Sequence, residues 1–474
     1  MLYPKMPPPP HTELRLSQKY SAQKYMLPFL SSLFLAQAAP APQPQEILQP
    51  QEVRPLPGKL DSVPVFNSNS PELVLKEGIL LSTFPPTGKQ VPAAHLNFPF
   101  RGRFDLFAHH VARAEPPDSL RTLYLGVIAH NPGPVPVTVD ILQAASYLSQ
   151  PDAPFIQLPD VAENPDGSVY AGPGSRVMSD ILRGQRQAEW PPQLVIPPGG
   201  SQMLINHPIP VRGLTPPLNG RSTLMRLRSD GTVYMASLAL FAKENPDGSE
   251  RAPALEEWQT LLVSGDLAAP RDRPPTPPDA PGNIIYGRAA GVASGSQWQA
   301  QIVDSAGAPD LTIPQPGQAF SYAIATLRGG QLGAGQVQSA PMLVRYPDTA
   351  YQAHGNYGIH YALTLPLHNP TGRQAAVTLA IQTPVKEDRL STPGLRFLEP
   401  PPPQVFFRGT VRVRYSDDLG RPQTRYAHLV QRRGQQGRAL VRLAMPPGSR
   451  RLVQVDFLYP PDATPPQVLT IQTE

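Results

Sequence analysis

Proline occupies 64 of the 474 positions and is scattered along the whole chain, and no other property limits its folding options as strongly. The pyrrolidine ring holds φ at about −65° and removes a backbone donor, so helix interiors are interrupted while strand ends, turns and extended connectors tolerate it. A hydrophobic fraction of 40%, arranged in recurring alternating segments, separates the chain from a disordered proline-rich polymer. The sequence therefore predicts a mainly β protein with minor short helices. Its length suits two or three domains at roughly 150 residues each.

The alternating segments recur in order. Leu125-Gly-Val127-Ile-Ala129-His130-Asn131-Pro132 precedes Pro136-Val137-Thr138-Val139, and Leu363-Thr-Leu365-Pro-Leu367-His368-Asn369-Pro370 precedes Ala376-Val377-Thr378-Leu379. In each, the apolar residues share one face at period two, the Asn-Pro pair starts a turn, and a second strand follows. Both copies are preceded by an Ala-His pair, Ala108-His109 and Ala353-His354. Both are followed by a Pro-Pro-Gly turn, Ile196-Pro-Pro-Gly199 and Met445-Pro-Pro-Gly448. Three motifs repeated in one order imply tandem related domains. Their pattern resembles immunoglobulin-like or fibronectin-like antiparallel β-sandwich domains of bacterial envelopes.

Residues 58–269 are expected to form a first sandwich with an inserted loop region over 143–190, and 283–474 a second. Between them, 270–282 holds six prolines in thirteen residues and reads as a semi-rigid linker, although 283–340 has the alternative of packing back on the first half. Ser175 is placed to cap a helix whose apolar face is Val177, Met178, Ile181 and Leu182, stopped by Gly184. A second helix is predicted over 254–264, with Leu255, Trp258, Leu261 and Leu262 inward.

The amino-terminal end has the form of an export signal. Lys19 and Lys24 precede the apolar run Met26 to Leu35, and Ala36-Gln37-Ala38 offers the small residues of a cleavage site. This predicts a signal peptide over 1–38, a proline-rich disordered tract over 39–57, and a periplasmic, outer-membrane-associated or extracellular protein. The apolar run is shorter than the roughly 20 residues a bilayer requires, and no integral span is expected once the signal is removed. The chain has no cysteine, so neither disulfides nor a lipid-accepting thiol are available, which favours a bacterial envelope over eukaryotic secretion. Phe104-Asp-Leu-Phe-Ala-His109-His110-Val-Ala-Arg113, Tyr346-Pro-Asp348-Thr-Ala-Tyr351 and the stretch from Phe457-Leu-Tyr-Pro-Pro-Asp462 to Leu469 resemble a family of cyanobacterial exported proteins known as a domain of unknown function. The resemblance implies a cyanobacterial envelope protein and brings no catalytic residues with it.

The net charge of +5 suggests nucleic acid at first sight, but residues 1–38 carry Lys5, Arg15, Lys19 and Lys24 against Glu13 alone, more than half of it. Nucleic acid is therefore not an expected partner. The true asymmetry lies over 405–451, where eleven arginines face only Asp417 and Asp418. Arg412 and Arg414 share a strand face, with Arg408 in line, and Arg425, Arg432 and Arg433 follow. Guanidinium forks suit carboxylate and phosphate, so an acidic glycan, lipopolysaccharide or an envelope protein is the expected partner. The competing reading is a solvated sheet face, or pairing with the acidic first half.

Other chemistry finds less support. His109 and His130, with His354 and His368 as their counterparts, are the candidates for zinc or copper, yet no His-x-His or His-Glu-x-x-His spacing occurs. Duplication alone explains their recurrence, and no metal or cofactor is expected. Glu163-Asn-Pro-Asp-Gly-Ser and Glu244-Asn-Pro-Asp-Gly-Ser lack the flanking carboxylates of a calcium loop and read as Asp-Gly turns. There is no cysteine nucleophile and no Gly-x-Ser-x-Gly elbow. A glycan-active hydrolase needs only two separated carboxylates, and Asp105, Glu163 and Asp166 are the first to consider. The chain reads as a non-enzymatic envelope or surface protein, with that hydrolase as the alternative.

Overall fold

In both repeats the two motif turns dock on each other. Leu123–His130 pairs antiparallel with Ser201–Ile209, and Val137–Leu148 with Gln193–Ile196. The second copy reproduces this arrangement, His360–His368 pairing with Arg450–Leu458 and Ala375–Gln382 with Val441–Met445. Each Asn-Pro turn and each Pro-Pro-Gly turn thus joins one of these strand pairs to the other, in the second repeat from the eight-stranded sheet to the five-stranded one. Gly199 and Gly448 take φ of 63° and 69°, a left-handed conformation that glycine adopts without steric penalty. The described part of this computed structural model is residues 43–474. The predicted signal peptide, and residues 39–42 of the tract after it, lie outside the described residues.

The protein is mainly β, with a twelve-stranded, an eight-stranded and a five-stranded sheet and two two-stranded pairs. Leu218–Phe241 is the longest strand; it lies between Phe100–Arg113 and Val137–Leu148 and, after an irregularity between Ser229 and Val233, continues beside Leu123–His130. The period-two pattern is realised as expected, with Leu363, Leu365 and Leu367 buried between half-exposed neighbours. Burial of side chains of this kind contributes about 1.5–3 kcal/mol each. The largest apolar cluster draws on both repeats, joining Phe107, Val177, Ile181 and Leu224 to Tyr361, Leu365, Phe407, Phe457 and Leu469.

Both helices form where the pattern placed them. Helix α1 spans Pro173–Leu182 and buries Val177, Met178, Ile181 and Leu182. Its cap position is Gly172, not Ser175, because Pro173 opens the first turn; the Ser175 hydroxyl instead donates to the Ala171 carbonyl at 2.9 Å. Helix α2 spans Leu255–Ser264, with Glu257 accepting from the Ala254 amide at 2.7 Å and Trp258 fully buried.

Two features of the expected organisation differ in the structure. Within the tract read as disordered, the described part is ordered: Gln45–Gln49 pairs with Leu395–Glu399, Glu52–Arg54 pairs in parallel with Ala319–Ile324, and Leu56 is buried. Pro44, Pro50 and Pro55 flank two proline-free pieces whose backbone donors and acceptors remain intact for pairing with these distant strands. Second, the sheets cross the 270–282 segment. Ala290–Ser294 sits between Pro64–Ser68 and Ala340–Arg345, and Val161–Glu163 pairs with the strand Pro422–Arg432. The segment itself is tied down, Arg271 Nε lying 2.8 Å from Asp348 Oδ2 and Ser70 Oγ donating to Asp272 Oδ2 at 2.7 Å. Residues 44–474 form one compact unit. The alternative in which the chain after 283 packs back on the first half is the arrangement found.

Candidate functional site

The arginine-rich strands divide into spent and unspent cations. Arg412 Nε and Arg414 Nη2 lie 3.3 and 3.1 Å from Asp456 Oδ2, on the neighbouring strand Arg450–Leu458. Burial alone would raise the Asp456 carboxyl, but His360, Arg412 and Arg414 together hold it below its usual range. The inserted helix completes the cover: Arg412 Nη1 is 3.5 Å from the Leu182 carbonyl, and Arg183 at the end of α1 stacks on Tyr426 at 3.9 Å. Arg425 is bound to Glu163 at 2.5 Å. By contrast, Arg408, Arg432 and Arg433 take part in none of the ion pairs among the described residues. Arg408 lies 5.2 Å from the centre of the Phe155 ring. Phe155 and Ile156 are themselves 54% and 50% exposed. Strand register sets Arg408 opposite Val430 and Arg432 opposite Val405, at one end of the same hairpin.

The four recurring histidines separate in pairs. His130 bonds Ser201 Oγ at 3.0 Å and stacks on Phe84, while His368 sits 4.0 Å from Asp310, which is held more closely by Arg450. His109 and His354, from the two Ala-His motifs, line one cleft. No group of three or more His, Asp or Glu side chains suited to a metal occurs among the described residues. The three carboxylates considered for hydrolysis do not meet. Asp105 is buried beside Arg103 in the twelve-stranded sheet, Glu163 is in the eight-stranded sheet, and Asp166 closes an exposed turn by accepting from Ser168 Oγ at 2.7 Å.

The cleft has a volume of about 320 Å³ and lies between the first repeat and the chain that packs back on it. On one wall, Asn67 and Asn69 are only 5% and 8% exposed, and neither Oδ1 has a hydrogen-bond partner. Glu72 is gripped by Arg288 and stands 3.7 Å from His109 Nε2. Those two partners, His109 foremost, bring its carboxyl down to about 2. On the other wall Lys386 Nζ donates to Tyr286 Oη at 2.8 Å and joins no ion pair among the described residues. His354 packs on Tyr286 with ring centres 4.9 Å apart; burial, then Lys386 and Arg328, depress its imidazole to about 4. Asp462 Oδ2 is buried without a partner, and burial pushes that carboxyl up.

Of these residues only His109 and His354 were singled out by sequence as candidate ligands. A signal for the others existed in two forms. Asn67 lies on the strand Pro64–Ser68 and Asn69 directly follows its end, so two amides stand two positions apart at the rim of the sheet. The three stretches that carry the family resemblance contribute His109, Ala350 and Asp462, all at this cleft.

A comparison with curated proteins finds no match. A family model described as a protein of unknown function, DUF3370, matches residues 51–473, which takes in both repeats, the free arginine end and the cleft. The chain belongs to that family.

Proposed function

We propose that this chain is a non-enzymatic exported protein of the cyanobacterial envelope that binds an acidic glycan or lipopolysaccharide through its free arginine end. The carrying observation is the division among the arginines. Arg412, Arg414 and Arg425 are committed to Asp456 and Glu163, whereas Arg408, Arg432 and Arg433 have no carboxylate. Unpaired guanidinium groups at one hairpin end, with Arg408 beside the exposed Phe155, suit a ligand that is both anionic and amphiphilic. Hydrolysis is the weaker reading, because Asp105, Glu163 and Asp166 are spread over different elements.

Retention on immobilised lipopolysaccharide tests this. Arg432→Glu with Arg433→Glu is expected to weaken retention by about tenfold or more, and raising the salt from about 50 to about 500 mM, which shortens the Debye length about threefold, should weaken the parent protein as well. Retention indifferent to both changes would sink the proposal. Charge reversal at Arg412 or Arg414 is not an informative substitute, since it strips the partner from a buried aspartate.

A further inference from the structure

We infer that the cleft between His109 and His354 is a separate binding site for a small acidic saccharide, its hydroxyls held by Asn67, Asn69 and Asp462 and its carboxylate by Lys386. Three observations combine. Asn67 and Asn69 are more than nine-tenths buried, line the cleft, and leave their Oδ1 atoms without partners. Buried side-chain amides are nearly always satisfied, so two unsatisfied ones in one cavity mark a place where a ligand or water supplies the hydrogen bonds. The Asp462 Oδ2 on the far wall is unpartnered as well. These are the groups that hold sugar hydroxyls, because an amide or carboxyl can accept from one hydroxyl and, through its other atom, engage the next.

The charge of the ligand follows from what the cleft has left over. Glu72 is neutralised by Arg288 and His109, and Arg288 also reaches Asp272 at 3.0 Å. Lys386 joins no ion pair among the described residues and donates to Tyr286 Oη alone, which leaves two of its three donors for an anion. Tyr286 and Tyr357 supply aromatic surface at the same walls, and a cavity of about 320 Å³ falls at the small end of ligand sites, roughly 300–1,000 Å³.

This site shares no residue with the arginine end, so the two proposals fail separately. Titration calorimetry of the full chain with glucuronate and with glucose is the test. Glucuronate is expected to bind at least about tenfold more tightly, and Lys386→Met to remove that preference. Asn69→Ala should weaken both sugars, and Arg432→Glu with Arg433→Glu should leave both unchanged. Lys386 is half-exposed, so its variant keeps the test alive if Asn69→Ala does not fold. No binding of glucuronate at millimolar concentration, or equal binding of the two sugars by the parent protein, would overturn the inference.

Discussion

His110 shows how a single buried side chain can set the behaviour of this fold. It is 1% exposed, its Nδ1 donating to the Pro71 carbonyl at 2.8 Å while Nε2 meets Ser68 Oγ at 2.9 Å. Burial lowers the imidazole to about 4 from an ordinary 6.5. The folded state thus binds the proton less readily than the unfolded chain, and stability rises with pH between those two values. The contribution is complete above about pH 6.5 and is lost as the pH falls toward 4. Denaturant midpoints measured from pH 7 to pH 4.5 should decline, and His110→Asn should flatten that decline. A variant with the parent's slope would assign the acid sensitivity elsewhere, for instance to His95, His207, His354 or His428, each also lowered to about 4 by burial. At this scale the sequence was informative about residue type and uninformative about partners. The face shared by Arg412 and Arg414 was readable from alternation, but Asp456 reaches them only because Arg450–Leu458 is the next strand, and alternation does not name a strand's neighbour.

Among the elements, the docked pair of turns is the unit that occurs twice in this chain. Asn131 is fully buried and its Nδ2 donates to the carbonyls of Val135, Ile196 and Pro197 at 2.6, 3.1 and 3.2 Å. Asn369 does the same to Arg373, Met445 and Pro446 at 2.8, 2.8 and 3.3 Å. Each Oδ1 also accepts from the amide two residues on, Gly133 or Thr371. One side chain therefore ties the Asn-Pro turn to the Pro-Pro-Gly turn, which explains why the two motifs recur together. Replacing either asparagine by alanine should cost about 2–4 kcal/mol, because several buried carbonyls lose their donor at once; urea unfolding of Asn131→Ala and Asn369→Ala would measure it. A loss under about 0.5 kcal/mol, the range of an unremarkable surface change, would contradict this role. These turns were legible because their signals are local. The strands at Gln45–Gln49 and Glu52–Arg54 were not, since each is ordered by a partner hundreds of positions away.

For the whole molecule, duplication in sequence has not produced two separable bodies. Ala290–Ser294 and Ala340–Arg345 extend the sheet of the first repeat, Val161–Glu163 edges the sheet of the second, and α1 lies across the second repeat's arginine face. The sequence could show that two repeats exist and where proline interrupts them. It could not show that the chain after the interruption returns, because that depends on which unpaired edge is available in three dimensions. The cleft was hidden for the same reason: Asn67, Lys386 and Asp462 are far apart in the chain and meet only through that return. Both repeats are therefore expected to unfold together. Scanning calorimetry of the full chain, parent against Leu365→Ala, tests it most directly, since that buried leucine belongs to the core shared by both repeats and its truncation should cost about 2–5 kcal/mol. A shared core gives one transition that moves as a whole to lower temperature, whereas two resolved transitions, only one of them shifted by the substitution, would rule it out.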